Sequence, residues 1–586
     1  MRTLPKQIIL AGALLGTLAL NGCDQKPAPS TEAKPAAAAV GLADTIYTGG
    51  HIITINDAAP SAEALAVKDG KILAVGAKAD VLKTKGAATK LVELGGKTLL
   101  PGFIDGHSHF ISALTAANQA NVYPAPFGPG SSIEGIIGAL KKLQQDQHIK
   151  LGEIIQAYGY DENALPADHQ LSAADLDPHF PENPVLVGHV SMHGAVLNSA
   201  AMKKYNFTAA TETPPGGIIL RKPGTSEPAG LVMEMAYLPI HSNLPKPSPD
   251  QTMAALKKAQ LIYAAAGITT AQEGSTTAAD IKILQRGAAE GNLFIDVVAY
   301  PFVPFFEEVL KDNPPATFGK YNHRLKLGGI KITLDGSPQG KTAWFTTPYL
   351  TGGPAGEKNW KGEPSFPVPI LQAQIKKVYD AGLDLIIHCN GDAAIDLFLA
   401  THEAVLGDKK AGDHRTGIIH CQFVRRDQLD KIAGWKIIPS FYTEHTYFFA
   451  TTHIANRGPE QGSFISPTKS ALDRGIRFAN HTDYYVAPID QLFVVWSAVN
   501  RVSREGGVVV GPAERISPME ALKALTIHPA YWYREEATKG SLEVGKLADL
   551  VILDKNPLNV DPMTIKDIKV VETIKEGRSV YRAPGQ

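Results

Sequence analysis

Short apolar runs separated by glycine turns mark both ends of the chain. Residues 43–97 contain TIYTGGHIITIN and EALAVKDGKILAVG, and Gly-Gly and Asp-Gly between such runs are typical of β-hairpins. The C-terminal stretches LADLVILD and IKVVETIKEGRSVYR have the same texture. We therefore predict that residues 43–98 and 540–583 together form one small β-sandwich domain.

Between these ends, apolar runs of strand length alternate with helical segments. Ser248-Pro249-Asp250-Gln251 is a good start and Gly267 a good stop for one such helix. Strands that are mostly followed by helices predict an α/β fold, a TIM-like (β/α)8 barrel over residues 99–539. The predicted strands are LLPGFIDGH, GITTAQ, LFIDVVAY, GGIKITLDGS, DLIIHC, TGIIHC, KIIPSFY and IRFANHTD.

The interval between the first and second predicted strands, residues 111–266, is too long for a single helix. We expect it to contain an inserted subdomain. An insertion after strand one lies on the C-terminal face of a barrel, which is where barrel active sites lie.

The first residues are predicted to be a targeting segment rather than part of the fold. Arg2 and Lys6 precede the apolar run IILAGALLGTLAL, and LNGC then resembles a bacterial lipobox. We expect residues 1–23 to be a lipoprotein signal peptide with Cys23 lipidated; a plain secretory leader with a chance cysteine is the alternative. The Pro/Ala-rich residues 24–42 predict a disordered tether. Together these features predict a lipoprotein at the periplasmic face of a Gram-negative envelope membrane.

The overall composition excludes some classes of partner and fold. The 586 residues include 57 basic and 58 acidic ones, so there is no electrostatic case for nucleic-acid binding. Three cysteines, one of them in the leader, exclude a disulfide framework. A small-molecule substrate is the expected partner, and a homodimer stays open.

Polar residues suited to metal binding follow the ends of five predicted strands. Strand one ends in two histidines, and strands four, five, six and eight contribute the remaining groups: His107, His109, Lys331, His388, His420 and Asp483. A single strand histidine is more often a core or surface residue, but the ordered set predicts one metal site. Imidazole with few oxygens suits zinc, while manganese, iron and nickel stay open, as does the choice between one and two ions.

Lys331 has a particular chemistry in this set. In GGIKITLDGS it would lie inside a barrel wall, where a bare ammonium is costly and the neutral amine is favoured. A neutral amine can add CO2 and become a carbamate, an anion able to bridge two cations. Without this carboxylation, a site with one metal ion is the alternative.

Several motifs resemble those of the amidohydrolase superfamily. PGFIDGHSHF is similar to its strand-one signature, and GKLADLVILD to its C-terminal return to the sheet domain. IKITLDGSPQGKTAW, HCNGDAAID and SMHGAVLNSAAM resemble the subgroup with a long strand-one insertion, which includes N-substituted formamide deformylase. The resemblance implies a barrel with a composite β-sandwich. It also implies the six residues above as metal ligands, Lys331 as a carboxylated bridge, and Asp483 as ligand or proton shuttle.

Two positions depart from the pattern of that superfamily. His481 and Thr482 precede Asp483 where many relatives have a Ser-Asp pair. Glu273, after strand two, occupies a place where relatives often carry aspartate, and a polar loop role is an open alternative. The surroundings of the expected base are therefore less firmly predicted than the ligands.

The predicted function is hydrolysis of a non-peptide carbon–nitrogen bond, as in an N-formyl or N-acyl amine, by metal-activated hydroxide. Asp483 is the expected proton carrier, and His193 in SMHGAVLNS is the candidate contact for the substrate carbonyl or oxyanion. Cys389 and Cys421 are interpreted as packing residues. Aromatic residues in loops are candidates either for an apolar pocket or for the core: Tyr158, Tyr160, Trp344, Phe441, Tyr442 and Tyr447.

Three alternatives to this function stay open. The first is deamination, but barrel deaminases usually carry a glutamate three residues after the strand-five histidine, where this chain has Gly391. Hydrolysis of an ester, a lactone or a cyclic amide would use the same metal chemistry. A membrane-tethered sensor without catalysis would normally relax the ligand set, yet every predicted ligand is present.

Overall fold

The computed structural model describes residues 41–166, 169–190, 194–214, 217–244, 248–354 and 357–585. The predicted leader with Cys23, most of the predicted tether, and His193 lie outside these described residues. Within the described ranges, no helix is both long enough and apolar enough to cross a membrane.

Strands from both ends of the chain join in a single sheet. Thr98–Pro101 pairs antiparallel with Leu550–Leu553, so that Leu99 lies opposite Ile552. Among the described residues, the strands of this sheet are Thr45–Ile53, Ser61–Lys68, Lys71–Gly76, Lys90–Glu93, Thr98–Pro101, Leu550–Leu553, Val570–Lys575 and Arg578–Arg582. The two ends therefore share one hydrogen-bonded sheet, and its division into the two layers of a sandwich stays a prediction.

The Asp-Gly turn of this sheet has the expected hairpin conformation. Asp69 and Gly70 both have positive φ, 47° and 76°, between Ser61–Lys68 and Lys71–Gly76. Two successive residues with positive φ match the right-handed twist of paired strands, and Asp-Gly tolerates them at low cost. The prediction of a hairpin at this position is confirmed.

The central region contains eight parallel strands, counted below as strands one to eight. Each overlaps one predicted apolar run, and strands two and three extend beyond theirs: Phe103–Ile104, Ile268–Thr276, Asp296–Pro301, Ile330–Thr333, Leu385–Cys389, Gly417–His420, Ile438–Phe441 and Ala479–Asn480. Strands one to three pair in parallel, as do strands four to eight. Isolated parallel bridges join the two groups, one between Phe302 and Lys331, the other between Ser108 and Tyr484. The strands therefore follow one another in chain order around a ring. A short hairpin, Tyr321–Asn322 with Leu325–Leu327, adds to the edge of strand three.

Helices follow most of the ring strands. They are Pro249–Ala265 before strand two, and then Ala278–Ala289, Phe306–Asp312, Val368–Asp380, Asp392–Leu406, Arg426–Gly434, His445–Phe448, Ala450–Ser463, Thr468–Leu472, Gln491–Asn500, Pro518–Lys523 and Ile527–Trp532. The predicted start at Ser248 is confirmed, because its hydroxyl accepts from the Gln251 backbone and the Gln251 side chain accepts from the Ser248 backbone. Gly267 ends this helix with a φ of 83°.

The segment between strands one and two forms a separate sheet. Its strands, among described residues, are Ala120–Asn121, Ile155–Tyr160, Val185–His189, Gly194–Leu197, Gly217–Arg221 and Pro228–Glu234. Helices Ile133–Asp146 and Ala173–Leu176 pack against it, and a cluster of its own, which includes Ile136, Leu140 and Val187, is buried between them and the sheet. Helices Ser199–Lys204 and Leu238–Ser242 contribute to a second cluster of this sheet, whereas Phe110–Ala116 packs against the large central cluster.

Alternation along the ring strands separates two apolar clusters. Ile387 and Cys389 belong to the large cluster packed under the helices, whereas Ile386 packs with Ile419 and Trp532 in a smaller one. Side chains two apart on a strand share a face, so Lys331 in strand four and His388 in strand five lie on the face of the smaller cluster. The apolar filling thus gives way to polar groups at the C-terminal ends of the strands.

Candidate metal centre

Three buried groups from distant parts of the chain converge at the ends of the ring strands. One ligand atom of each of His107, His420 and Asp483 lies within 4.8 Å of the other two. Asp483 Oδ1 lies 3.5 Å from Nε2 of His107, and Asp483 Oδ2 lies 4.0 Å from Nε2 of His420. Two imidazoles and a carboxylate at these separations are compact enough to surround one cation.

His109 and Lys331 border this group. Nε2 of His109 lies 3.2 Å from Asp483 Oδ1, and Nζ of Lys331 lies 3.5 Å from Nε2 of His107. Burial lowers the pKa of Lys331 to about 8, against the opposing charge of Asp483. The amine therefore loses its proton much more readily than an exposed lysine does.

His388 adjoins the group through His420. The two rings meet edge to face with centroids 4.6 Å apart. Nδ1 of His388 lies 3.3 Å from Asp335 Oδ1, and its Nε2 lies 3.1 Å from the side-chain nitrogen of Asn390. Asp335 also accepts hydrogen bonds from the backbone N–H groups of Asn390 and Gly391, which fixes the turn that follows strand five.

A relay of hydrogen bonds sets the tautomer of His107. Gln272 donates to the carbonyl of Gly106 at 3.2 Å and to the Tyr533 hydroxyl at 2.6 Å, and Tyr533 donates in turn to the carbonyl of Asp105 at 2.5 Å. The amide oxygen of Gln272 therefore faces Nδ1 of His107, 2.6 Å away, and accepts its proton. Nε2 of His107 is left with a free lone pair directed at the group, as a metal ligand requires.

A second relay sets the tautomer of His420. The Ser440 hydroxyl donates its single proton to the carbonyl of Gly106 at 3.1 Å, so it can only accept from Nδ1 of His481, 2.8 Å away. Nε2 of His481 then accepts from Nδ1 of His420 at 3.1 Å. The lone pair on Nε2 of His420 is thereby free, in the same manner as that of His107.

The ionisation of these groups suits a cation. Burial lowers the pKa of His107 and His420 well below the ordinary value and that of His481 to about 3, so all three stay neutral. Burial alone would raise the pKa of Asp483, but the His109 imidazole beside it lowers that pKa overall. Asp483 Oδ1 is buried and lies 3.2 Å from Nε2 of His109 and 3.5 Å from Nε2 of His107. Neutral imidazoles beside an ionised carboxylate form a suitable donor set.

The backbone departs from strand geometry at these residues. His420, Cys421 and Asp483 have φ values of 68°, 47° and 55°, in the left-handed region that non-glycine residues seldom adopt. Such conformations persist where the surrounding structure enforces them, and they concentrate at functional sites. Cys389 and Cys421 both lie in the large apolar cluster under the helices.

Glu273 fastens the segment that follows His109. Its buried carboxylate accepts hydrogen bonds from the backbone N–H groups of Ile111 at 2.6 Å and Ser275 at 3.0 Å. Its backbone also forms an isolated bridge with His109. These contacts are those of a structural group that positions the loop carrying a predicted ligand.

One of the aromatic residues predicted for a pocket lies against the candidate site. The ring of Tyr442 has its centroid 5.0 Å from that of His481 and 6.0 Å from that of His420. Phe441 packs instead against Phe478 in the core. The others take part in apolar contacts elsewhere: Tyr158, Tyr160, Trp344 and Tyr447.

Most of the residues that orient the histidines are not predicted from the sequence. Gln272 ends the predicted strand GITTAQ, and its position at a strand end was the available signal. His481 was noted only as a departure from the superfamily. Ser440 and Tyr533 have no distinguishing pattern, since their roles arise from contacts between segments far apart in the chain.

A family model described as the amidohydrolase family matches residues 90–581. The chain belongs to this amidohydrolase family. The resemblance stated from the motifs is thus confirmed. The family is metal-dependent, which agrees with the buried His107, His420 and Asp483 group.

Relatives of this amidohydrolase match it along almost its entire length. The putative amidohydrolase YtcJ of Bacillus subtilis is 25% identical over 557 residues, covering 92% of this chain and 99% of that protein. N-substituted formamide deformylase of Arthrobacter pascens is 23% identical over 555 residues, covering 93% and 99%. The crystal structure of an uncharacterized metal-dependent hydrolase from Pyrococcus furiosus superposes with a TM-score of 0.67 at 24% identity, covering 88% of this chain and all of the other. The chain therefore has the mixed α/β fold of these hydrolases.

Proposed function

We propose that this amidohydrolase hydrolyses the carbon–nitrogen bond of an N-formyl or N-acyl amine at a divalent metal centre. The observation that carries the proposal is the pair of relays that leave Nε2 of His107 and of His420 free beside the carboxylate of Asp483. We also propose that the ring of eight strands is a closed (β/α)8 barrel with the site at its C-terminal end. The bridges between the two groups of strands support that closure.

The donor set favours zinc. A donor set of imidazole nitrogens with few oxygens suits this ion. The residues that would hold it are His107, His109, Lys331, His388, His420 and Asp483. A divalent cation in this place supplies Lewis acidity, which polarises a substrate carbonyl and favours the hydroxide form of water. For Lys331 we propose carboxylation, in which the neutral amine bonds to the carbon of CO2 and releases one proton to give an anionic carbamate.

Asp483 is the proposed proton carrier. Its carboxylate is ionised because its pKa is lowered, and its buried Oδ1 faces the imidazoles of His107 and His109. It would accept a proton from the attacking water and deliver it to the leaving nitrogen, so that the products are a carboxylate and an amine. His193, outside the described residues, stays the candidate contact for the substrate carbonyl.

The substrate class rests on two supports. The name of the Arthrobacter pascens relative specifies N-substituted formamides, and we extend that bond type to this chain as part of the proposal. The deaminase alternative needs a glutamate side chain at position 391. A Cβ at Gly391 would overlap the backbone of Trp344, so this position has no room for one. Esters, lactones and cyclic amides are left for the experiment to distinguish.

The test uses residues 24–586, supplied with zinc and bicarbonate, on matched formamides, acetamides, esters and lactones of one amine or alcohol. We expect metal-dependent release of formate or acetate with the amides preferred. Lys331→Ala should lose metal and activity and recover part of both with small carboxylic acids. Lys376→Ala, which removes a lysine paired with Asp380 on a helix surface, is the control and should behave as the wild type. A metal-replete protein that is inert on every compound would instead favour the alternative of a membrane-tethered sensor without catalysis.

The proposal also includes a location for the enzyme in the cell. We propose that lipidation at Cys23 tethers the enzyme at the periplasmic face of a Gram-negative envelope membrane, where it would meet small amides. Mass spectrometry of the membrane fraction tests this, since Cys23→Ser should abolish the lipid modification and release the protein.

A further inference from the structure

A buried glutamate after strand seven lacks the partners that the fold gives to other buried acids. The side chain of Glu444 has no solvent exposure, and neither carboxyl oxygen has a hydrogen-bond partner among the described residues. By contrast, the buried carboxylate of Glu514 accepts hydrogen bonds from the backbone and hydroxyl of Ser470. Glu273 is satisfied by two backbone N–H groups. Leaving a buried polar group unpaired destabilises a fold, so Glu444 needs a reason to be there.

The surroundings of Glu444 are acidic. Burial raises its pKa well above the ordinary value, and the carboxyl groups of Asp490 and Asp483 raise that pKa further. No lysine, arginine or histidine of the described residues forms an ion pair with it, whereas Asp490 is compensated by the backbone N–H groups of Leu492 and Phe493. Among the described residues, no positively charged side chain therefore compensates a negative charge on Glu444.

Glu444 also lies close to the candidate metal centre. It influences the pKa of Tyr442, as Asp483 does, and the Tyr442 ring packs against His481 of the His420 relay. The hydroxyl of Tyr442 is buried and has no partner among the described residues, and the same holds for the side-chain amide of Gln491, next to Asp490. The segments that follow strands seven and eight thus contain several buried polar groups without partners among the described residues.

We propose that Glu444 binds a positively charged nitrogen of the substrate, at a position remote from the bond that is cleaved. The substrate class is then a formamide or amide that also carries an ammonium group. This deepens the proposed function and rests on it, because the ammonium subsite is assigned to the substrate of the metal centre. A cation supplies what Glu444 lacks: hydrogen-bond donors and a compensating charge in a buried place, where such a pair is strong.

Matched substrates test the assignment on the metal-replete enzyme. The N-formyl derivatives of 4-(aminomethyl)benzylamine and 4-(hydroxymethyl)benzylamine differ only in the remote group, ammonium or hydroxyl. We expect the wild type to favour the ammonium compound in kcat/KM by about tenfold or more, and Glu444→Gln to lose most of that ratio. Glu514→Gln is the matched control, a buried glutamate with partners of its own, and it should keep the wild-type ratio. An unchanged ratio in Glu444→Gln would overturn the proposal.

A binding measurement separates this proposal from the failure of the proposed function. Calorimetry with benzylammonium and with benzyl alcohol needs no turnover, and an amine that released its proton and bound the metal through its nitrogen would be insensitive to Glu444→Gln. If no amide is hydrolysed but benzylammonium binds in a Glu444-dependent manner, the hydrolase proposal fails and the subsite stands. If benzyl alcohol binds as well as benzylammonium, the cation assignment is wrong.

Thermal unfolding without ligand gives an independent test. Glu444→Met replaces an unpaired buried carboxyl by an apolar side chain of similar size, and we expect its unfolding midpoint to rise. A structural glutamate would instead lower the midpoint on replacement. A lowered midpoint together with retained ammonium preference would refute the subsite.

Discussion

Asp483 Oδ1 lies 3.5 Å from Nε2 of His107, although the two residues follow the last and the first strands of the ring. The backbone explains this proximity. The Asp483 N–H donates to the carbonyl of His107 at 3.2 Å, and the His109 N–H donates to the carbonyl of Tyr484 at 2.6 Å. The contact between the segments that follow strands one and eight thus brings the candidate metal ligands together. A fault in this closure would remove the site without touching a ligand.

The first prediction concerns the orientation of His107. Gln272→Leu keeps a side chain of similar size but removes the acceptor for Nδ1–H, so the imidazole can rotate or adopt the other tautomer. Loss of such a partner typically weakens metal binding by about 10- to 100-fold. Zinc titration against a competing chelator measures the effect. Gln285→Leu, which alters a glutamine bound to Asn313, is the control and should bind zinc as the wild type does.

The second prediction concerns the room around the same ring. A Cβ at Gly274 would overlap the imidazole of His107, so Gly274→Ala should displace the ligand and lower zinc content. Gly138→Ala adds the same methyl group in a helix where nothing lies nearby, and there it should be neutral or stabilise by about 0.5–1 kcal/mol. Metal analysis and thermal unfolding of both variants check this. Full zinc content in Gly274→Ala would contradict the predicted overlap.

The sequence predicted those parts of the site that depend on residue type and strand order. His107, His420, Asp483 and Lys331 follow apolar runs, and the parallel order of strands brings the ends of those runs together. The helix start at Ser248 was predictable for a similar reason, because capping depends on neighbours in the chain.

Other features were not predictable because they depend on contacts between distant segments. Strand one ends at Ile104 and both His107 and His109 follow it, so the alternation of side chains along a strand does not set their direction. Likewise, the left-handed backbone at His420 and Asp483 breaks the two-residue period. No local pattern reports that Ser440 has its only proton committed to Gly106 and must accept from His481.

The third prediction follows from the lowered pKa of Lys331. In metal-free protein without CO2 its pKa is about 8, against 10.5 for an ordinary lysine. Between these values the unfolded chain holds one more proton than the folded chain, so the free energy of unfolding rises with pH in that window. Lys331→Met lacks this dependence and should be more stable than the wild type by roughly 3 kcal/mol at pH 7. Urea unfolding at pH 7, 8, 9 and 10 measures the difference, which should shrink as pH rises. A constant difference would show that Lys331 titrates normally.

The last prediction concerns a buried ion cluster between strand three and the sheet built from both chain ends. Nζ of Lys539 and Nζ of Lys575 each lie 2.6 Å from Asp296 Oδ2, and Lys575 also lies 2.7 Å from Asp549. Burial alone would raise the pKa of Asp296, but the two lysines outweigh burial and lower it. The stabilisation is therefore present above the ordinary pKa of an aspartate, and it is lost as pH falls through the lowered value.

Asp296→Asn removes the carboxylate that both lysines share, but Lys539 keeps Glu535 and Lys575 keeps Asp549 as partners. Breaking a buried pair costs about 3–5 kcal/mol when the remaining charge is uncompensated, so we expect a loss toward the lower end of that range. Asp380→Asn removes one partner of the exposed pair with Lys376 and should cost at most about 0.5 kcal/mol. Urea unfolding of the two variants at pH 7 provides the comparison. Similar small losses in both would mean that Glu535 and Asp549 suffice as partners, and that Asp296 does not fasten the sheet to the ring.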